Sequence, residues 1–268
     1  MLPSWDPVRL EQKLPANVCL IGARKMGKSV ATVDLLKRLS SKFSLVIAMV
    51  GTPSCQPALH EMMKQYWDPR FFFSTWDTGL VSRLMAQQED LRAKGIERHV
   101  AILVDDIVLT SEAAEQIAHC AMRGRHWLIS LFMCAVSWST LPKRVRRSLD
   151  ICMIFSCPMA SDIKLLCGEY ASNATMAEFM MRQLEDHQCL VLETVTKQQR
   201  LYLWRSRLHT CESLRIEWSR LREESKTKVS SDSPSAVRDS PRQVETFSPP
   251  DHTESPESAE RSDEAESK

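Results

Sequence analysis

Two hydrophobic rhythms divide this chain. Short, mainly apolar runs occur at Val18 to Ile21, Ser44 to Val50, His99 to Val104, Trp127 to Val136 and Ile151 to Phe155. Runs of that length with so few polar positions predict strands buried on both faces. Between them lie stretches with helical spacing, at Ser29 to Leu39, Ala58 to Tyr66 and Gly79 to Ala93. Strand and helix alternate, which predicts an α/β domain with a mostly parallel central sheet flanked by helices. A short strand is expected at Arg70 to Ser74. Cys189 to Thr194 and Arg200 to Trp204, split by Thr196 to Gln199, predict a closing hairpin. Glu212 to Glu224 places Leu214, Trp218 and Leu221 on one face of an amphipathic helix, expected to pack back on the domain.

Composition adds a boundary. Glu224 to Lys268 is rich in Ser, Pro and Glu, with Phe247 its one aromatic residue. Such a segment buries too little apolar surface to offset the entropy of ordering, and predicts a disordered tail. The expected division is a lead-in over 1–16, a catalytic domain over 17–223 and a tail over 224–268. The tail carries eleven acidic and six basic residues, so a chain of net charge +1 has about +6 on residues 1–223. A basic body suits a phosphate backbone, although +6 is also ordinary for an enzyme. Four Ser-Pro pairs, at Ser233, Ser240, Ser248 and Ser255, look like proline-directed phosphorylation sites or simply follow from the composition.

The nine cysteines form no C-x-x-C pair and no histidine stands at zinc-finger spacing, so they predict small apolar packing in a reducing compartment. The N-terminus lacks the charged and apolar regions of a signal peptide. The longest apolar run, Trp127 to Trp138, is too short to span a bilayer, and no membrane partner is expected.

The candidate chemistry begins at the first strand. Gly22, Ala23, Arg24, Lys25, Met26, Gly27, Lys28 and Ser29 spell G-x-x-x-x-G-K-[ST] between a predicted strand and a predicted helix. Glycines at both ends let backbone N–H groups and the helix N-terminus converge on phosphate oxygens. Lys28 is expected to reach the β and γ phosphates of ATP, and Ser29 to offer its hydroxyl to Mg²⁺. The strand HVAILV ends in Asp105 and Asp106, where open α/β sheets bind ligands. Asp105 is expected to hold Mg²⁺ through water, and Asp106 to orient or deprotonate the attacking water. An acid after a strand can instead cap a helix, and the EAAEQIA run after Ser111 offers one nearby. Ser137, ending the next strand, is a candidate γ-phosphate sensor, though a strand-end serine accounts for it equally. Lys143, Arg144, Arg146 and Arg147 then form a basic stretch with three readings: an arginine reaching a neighbouring subunit's nucleotide, a DNA-backbone contact, or a solvated loop.

Taken in order, GARKMGKS, AILVDD, GRH before the next strand, and LPKRVRRSLD leading into ICMIF resemble the viral genome-packaging ATPases of the FtsK/HerA class. The resemblance spans about Asn17 to Ser156, and weakly reaches Trp204. It implies a RecA-like P-loop core, ATP hydrolysis with Mg²⁺, a homo-oligomeric ring and translocation of double-stranded DNA into a capsid. A capsid or portal partner would follow, in a host nucleus or cytoplasmic virus factory or associated with the virion. By the same resemblance Lys28 and Ser29 are the phosphate-loop pair, Asp105 and Asp106 the magnesium and water-activating acids, and Arg146 an intersubunit finger. Two departures stand out: that class usually has glutamine at the Ser137 position and often glutamate at Asp106. Two other functions remain open, a small-molecule P-loop kinase and a nucleotide-gated interaction protein without efficient turnover.

Overall fold

Continuous burial is what makes the strands. The computed structural model describes residues 2–52, 56–156, 159–170, 174–185, 187–194 and 200–206. In it β1 (Asn17–Ile21), β2 (Leu45–Val50), β4 (Val100–Asp105), β5 (Ile129–Ala135) and β6 (Ile151–Ile154) are apolar along almost their whole length, and nearly every residue is buried. With the short β3 (Phe72–Phe73), β7 (Gln188–Glu193) and β8 (Arg200–Arg205), they form one eight-stranded sheet. Its order is β3-β2-β4-β5-β1-β6-β7-β8. All pairings from β3 through β6 are parallel, while β7 and β8 close the sheet as an antiparallel pair. The expected α/β class and the hairpin are therefore observed.

Helices connect the parallel strands, as crossovers require. One face of the sheet, including Val18, Leu20, Val46, Ala48, Leu103 and Met153, packs against Leu35 and Leu36 of α2 (Lys28–Arg38) and Leu59 and Met62 of α3 (Pro57–Tyr66). Elsewhere α4 (Thr78–Ala93) lies against α5 (Ser111–Arg123), which packs on β5. Asp77 caps α4 by accepting from the Leu80 N–H at 2.8 Å, and Thr110 caps α5 by accepting from the Ala113 N–H at 3.2 Å. Thus Thr110, and neither acid of the Asp105-Asp106 pair, starts that helix.

Several elements depart from the sequence pattern. Residues 124–127 form a 3₁₀ turn and Leu128 adopts φ 54°, so β5 begins at Ile129, two residues later than the apolar run suggests. The basic stretch folds partly as a short helix, α6 (Lys143–Arg147), behind Pro142. Two helices that the pattern did not announce, α7 (Ala160–Tyr170) and α8 (Ala174–Arg182), connect β6 to β7. In α7, Ile163, Leu166 and Cys167 make a buried stripe, but Leu165 stays 36% exposed and blurs it.

The N-terminal lead-in packs on the hairpin. It contains α1 (Val8–Glu11), and Ser4 bridges to Leu203 of β8. Trp5 is buried edge-on against Trp204, with ring centroids 5.9 Å apart. The amphipathic stretch Glu212 to Glu224 and the tail lie outside the described residues. Among the described residues no helix is long and apolar enough to cross a membrane.

Candidate nucleotide site

The turn between β1 and α2 is held from both sides. The Gly22 N–H donates to the Ala135 carbonyl of β5 at 3.2 Å, and the Ala23 N–H to the Ser156 carbonyl beyond β6 at 3.0 Å. Lys25 (φ 66°) and Gly27 (φ 98°) take left-handed backbone, which turns the chain back to start α2 at Lys28. Met26 packs toward the core, Arg24 and Lys25 are exposed, and Ser29 is exposed in the first turn of α2. This is the strand-loop-helix geometry expected of a phosphate loop, with free N–H groups at the helix start.

Lys28 folds over that loop. Its Nζ donates to the Gly22 carbonyl at 2.7 Å and the Ala23 carbonyl at 2.8 Å. Burial lowers the affinity of this amine for its proton, against the opposing pull of Cys134, Asp105 and Asp106. A desolvated cation of this kind gains from an arriving phosphate. Behind it, Thr32 Oγ1 accompanies the Cys134 thiol at 3.3 Å and donates to the Lys28 carbonyl at 3.0 Å, which ties α2 to β5.

Asp105 ends β4, in register with Val50 on one side and Cys134 on the other. It is only 8% exposed. Desolvation raises its pKa, while a hydrogen bond from Gln56 Nε2 and the charge of Lys28 pull the other way. Asp106 is exposed and left-handed at φ 52°. Gly51 makes that turn possible: the Gly51 N–H donates to the Asp105 carbonyl at 2.9 Å, and a Cβ at position 51 would lie 1.9 Å from the Asp106 carbonyl oxygen.

Ser137 lies just beyond β5, between the loop strand and the acidic strand. Its Oγ shares a 2.8 Å hydrogen bond with Ser139 Oγ. Topology therefore brings the loop, Ser137, Asp105 and Asp106 to one edge of the sheet. Arg146 is different. Its guanidinium ion-pairs with Glu169 of α7 at 2.5 Å, lies 5.6 Å from the Trp138 ring centroid, and keeps only 12% side-chain exposure. Its neighbours are more open: Arg144 is 63% exposed, on Glu115, and Arg147 is exposed.

Sequence reasoning missed Gln56, Glu169 and His187, which stands against Gly27. Gln56 becomes legible only once the strand order is known. It follows β2, which neighbours β4, so a polar residue there falls beside the end of β4. The donor set suits the group the motifs imply: a loop of N–H donors with an ammonium accepts phosphate, and a hydroxyl at Ser29 with a buried carboxylate at Asp105 offers hard oxygen to Mg²⁺.

Strand order, loop and acids together make a mostly parallel α/β sheet with a glycine loop and an acidic pair at one edge. No family model matches the chain, and no curated protein matches it. Among solved structures it is similar to EssC (ATPases 2 and 3) from Geobacillus thermodenitrificans, at 13% identity and TM-score 0.56, over 80% of this chain and 45% of that one. It is also similar to the genome packaging NTPase B204 from Sulfolobus turreted icosahedral virus 2 in complex with ATP-gammaS, at 14% identity and TM-score 0.46, over 70% of this chain and 96% of that one. A third is the cytoplasmic domain of the Thermomonospora curvata Type VII secretion ATPase EccC, at 13% identity and TM-score 0.49, over 71% of this chain and 25% of that one. The EssC match establishes the fold.

Proposed function

We propose that this chain is an ATP-hydrolysing motor that translocates double-stranded DNA and packages a viral genome into a capsid. The observation that carries the reading is the position of β5 between the phosphate-loop strand β1 and the acidic strand β4. Two strand spacings, about 9.6 Å, then separate the loop from Asp105. That gap accommodates a triphosphate end, a hydrated cation and an attacking water, which is the arrangement hydrolysis needs. The ordered motifs and the basic body favour DNA as the track over a small phosphate acceptor.

Each residue then has a task. Lys28 exchanges its two loop carbonyls for the β and γ phosphates as ATP enters. Ser29, and Asp105 through water, would hold Mg²⁺, which would supply neutralisation of phosphate charge. Asp106, in its left-handed turn at the same edge, would orient the water, and Ser137 would sense the γ-phosphate. For Arg146 to act on a neighbouring subunit's nucleotide it must leave Glu169; Arg144 and Arg147 are the exposed alternatives on the same helix. The working form is a homo-oligomeric ring with a capsid or portal partner, acting in a host nucleus or virus factory.

The test is steady-state ATP hydrolysis with and without linear double-stranded DNA, with Lys28→Ala as the blank. Turnover should rise with DNA and vanish with the lysine, and Arg146→Ala subunits mixed into wild type should depress activity beyond their share. A monomeric enzyme indifferent to DNA overturns the motor. Phosphorylated nucleoside appearing in an acceptor screen would establish the kinase instead.

A further inference from the structure

Two left-handed residues meet at the phosphate loop. Gly27 has φ 98° and His187, just before β7, has φ 62°. They are in close contact: a Cβ on Gly27 would lie 2.6 Å from His187 Nδ1 and 3.2 Å from His187 Cα. Glycine at position 27 therefore serves two ends, the turn of the loop and the approach of this ring. Nδ1 of His187 is buried and has no hydrogen-bond partner among the described residues. A buried ring nitrogen without a partner is costly, and calls for a partner that the described residues do not supply.

The sheet says which partner. Asp105 lies on the β5–β4 side of β1, whereas His187 precedes β7 on the β6–β7 side. If the γ-phosphate faces the acids, the α-phosphate and ribose leave the loop toward His187. The geometry points to His187 as a nucleotide-contacting residue that closes the ribose side of the loop, its Nδ1 bonding to a ribose oxygen of the bound nucleotide. This rests on the nucleotide-binding reading above, and adds to it a residue that selects nucleotide over bare polyphosphate.

The substitutions follow from the backbone. At φ 62° glycine removes the ring without strain, and asparagine tolerates the conformation while placing an amide near the Nδ1 position. Binding of ATP and of inorganic tripolyphosphate, which has no ribose and no ester, is measured by calorimetry on the full chain. His187→Gly should weaken ATP about tenfold, the size of a lost hydrogen bond to the ribose, and leave tripolyphosphate within about twofold. His187→Asn should recover most of the ATP affinity. Equal losses for ATP and tripolyphosphate would overturn the proposal, since His187 would then only prop the loop. So would a His187→Gly protein that melts like wild type and binds ATP as tightly. Wild type that binds neither ligand, with Lys28→Ala no different, would instead refute nucleotide binding itself, and the proposal with it.

Discussion

Asp105 and Glu193 are both buried carboxylates at strand ends of one sheet, and the protein treats them in opposite ways. Glu193 is surrounded by donors. Trp5 Nε1 donates to it at 3.1 Å, Arg9 grips both oxygens at 2.7 and 3.0 Å, and Lys13 ion-pairs at 2.8 Å. Led by the Arg9 hydrogen bond, these hold its pKa down to about 2. Asp105 has the Gln56 hydrogen bond and the charge of Lys28, and burial still pushes its pKa up. Glu193 is a charge satisfied by the fold, and Asp105 is one left short of compensation. A raised pKa alone does not mark a site: burial also raises Asp150, yet its oxygens take the Asn17 N–H at 2.7 Å and the Arg125 guanidinium. What separates Asp105 is that, among the described residues, no cation ion-pairs with it at the edge where the phosphate loop opens.

The largest expected effect breaks the comparison on the functional side. Asp105→Asn keeps an acceptor for Gln56 and removes the charge that would hold Mg²⁺. ATP turnover should fall by about a hundredfold or more, while tripolyphosphate still binds at Lys28. Glu193→Gln should leave turnover per folded molecule unchanged. If both substitutions abolish hydrolysis alike, the distinction between a site carboxylate and a structural one is lost.

A smaller effect tests the structural side. Glu193→Gln strands two cations, and breaking a buried pair from one end costs roughly 3–5 kcal/mol. The side chains of Arg9 and Lys13 keep 35% and 25% exposure, which lets water compensate part of the loss. A destabilisation of about 2 kcal/mol is expected in urea unfolding. A change below about 0.5 kcal/mol would mean that the lead-in contributes little to holding β7 and β8.

The two carboxylates were not equally legible. Asp105 announced itself because its signal is contiguous: an apolar run ending in acids, after a glycine loop ending in Lys28-Ser29. Helical and strand rhythms likewise exposed the mostly parallel sheet and the hairpin. Glu193 gave no signal, since Arg9 and Lys13 lie about 180 positions away and meet it only when the lead-in folds onto β8. Gln56 and His187 share that problem, because each acts on a segment its own neighbourhood does not name. The Arg146 motif was visible, but Glu169 and Trp138, which hold its side chain, belong to a turn and to a helix whose stripe Leu165 obscures.

The finest separation comes from pH. A carboxylate whose folded pKa is depressed contributes stability in full above its unfolded value and loses it as pH falls through the folded value. For Glu193 that window runs from about 4.5 down to about 2. Asp105 works in reverse. Its folded pKa is raised, so ionising it costs nothing below the ordinary 3.8, and the cost grows as pH rises from there through the raised value. Asp105→Asn should therefore stabilise the nucleotide-free protein at pH 8, and leave its stability unchanged near pH 3.5. Glu193→Gln should show its deficit at pH 8 and converge on wild type as acid approaches pH 2. Thermal unfolding of both variants across that range gives two difference curves, each near zero at its acid end and of opposite sign at pH 8. Curves of the same sign would mean that Lys28 and Gln56 already compensate Asp105, and that the edge awaiting a cation is as satisfied as the strap that closes the sheet.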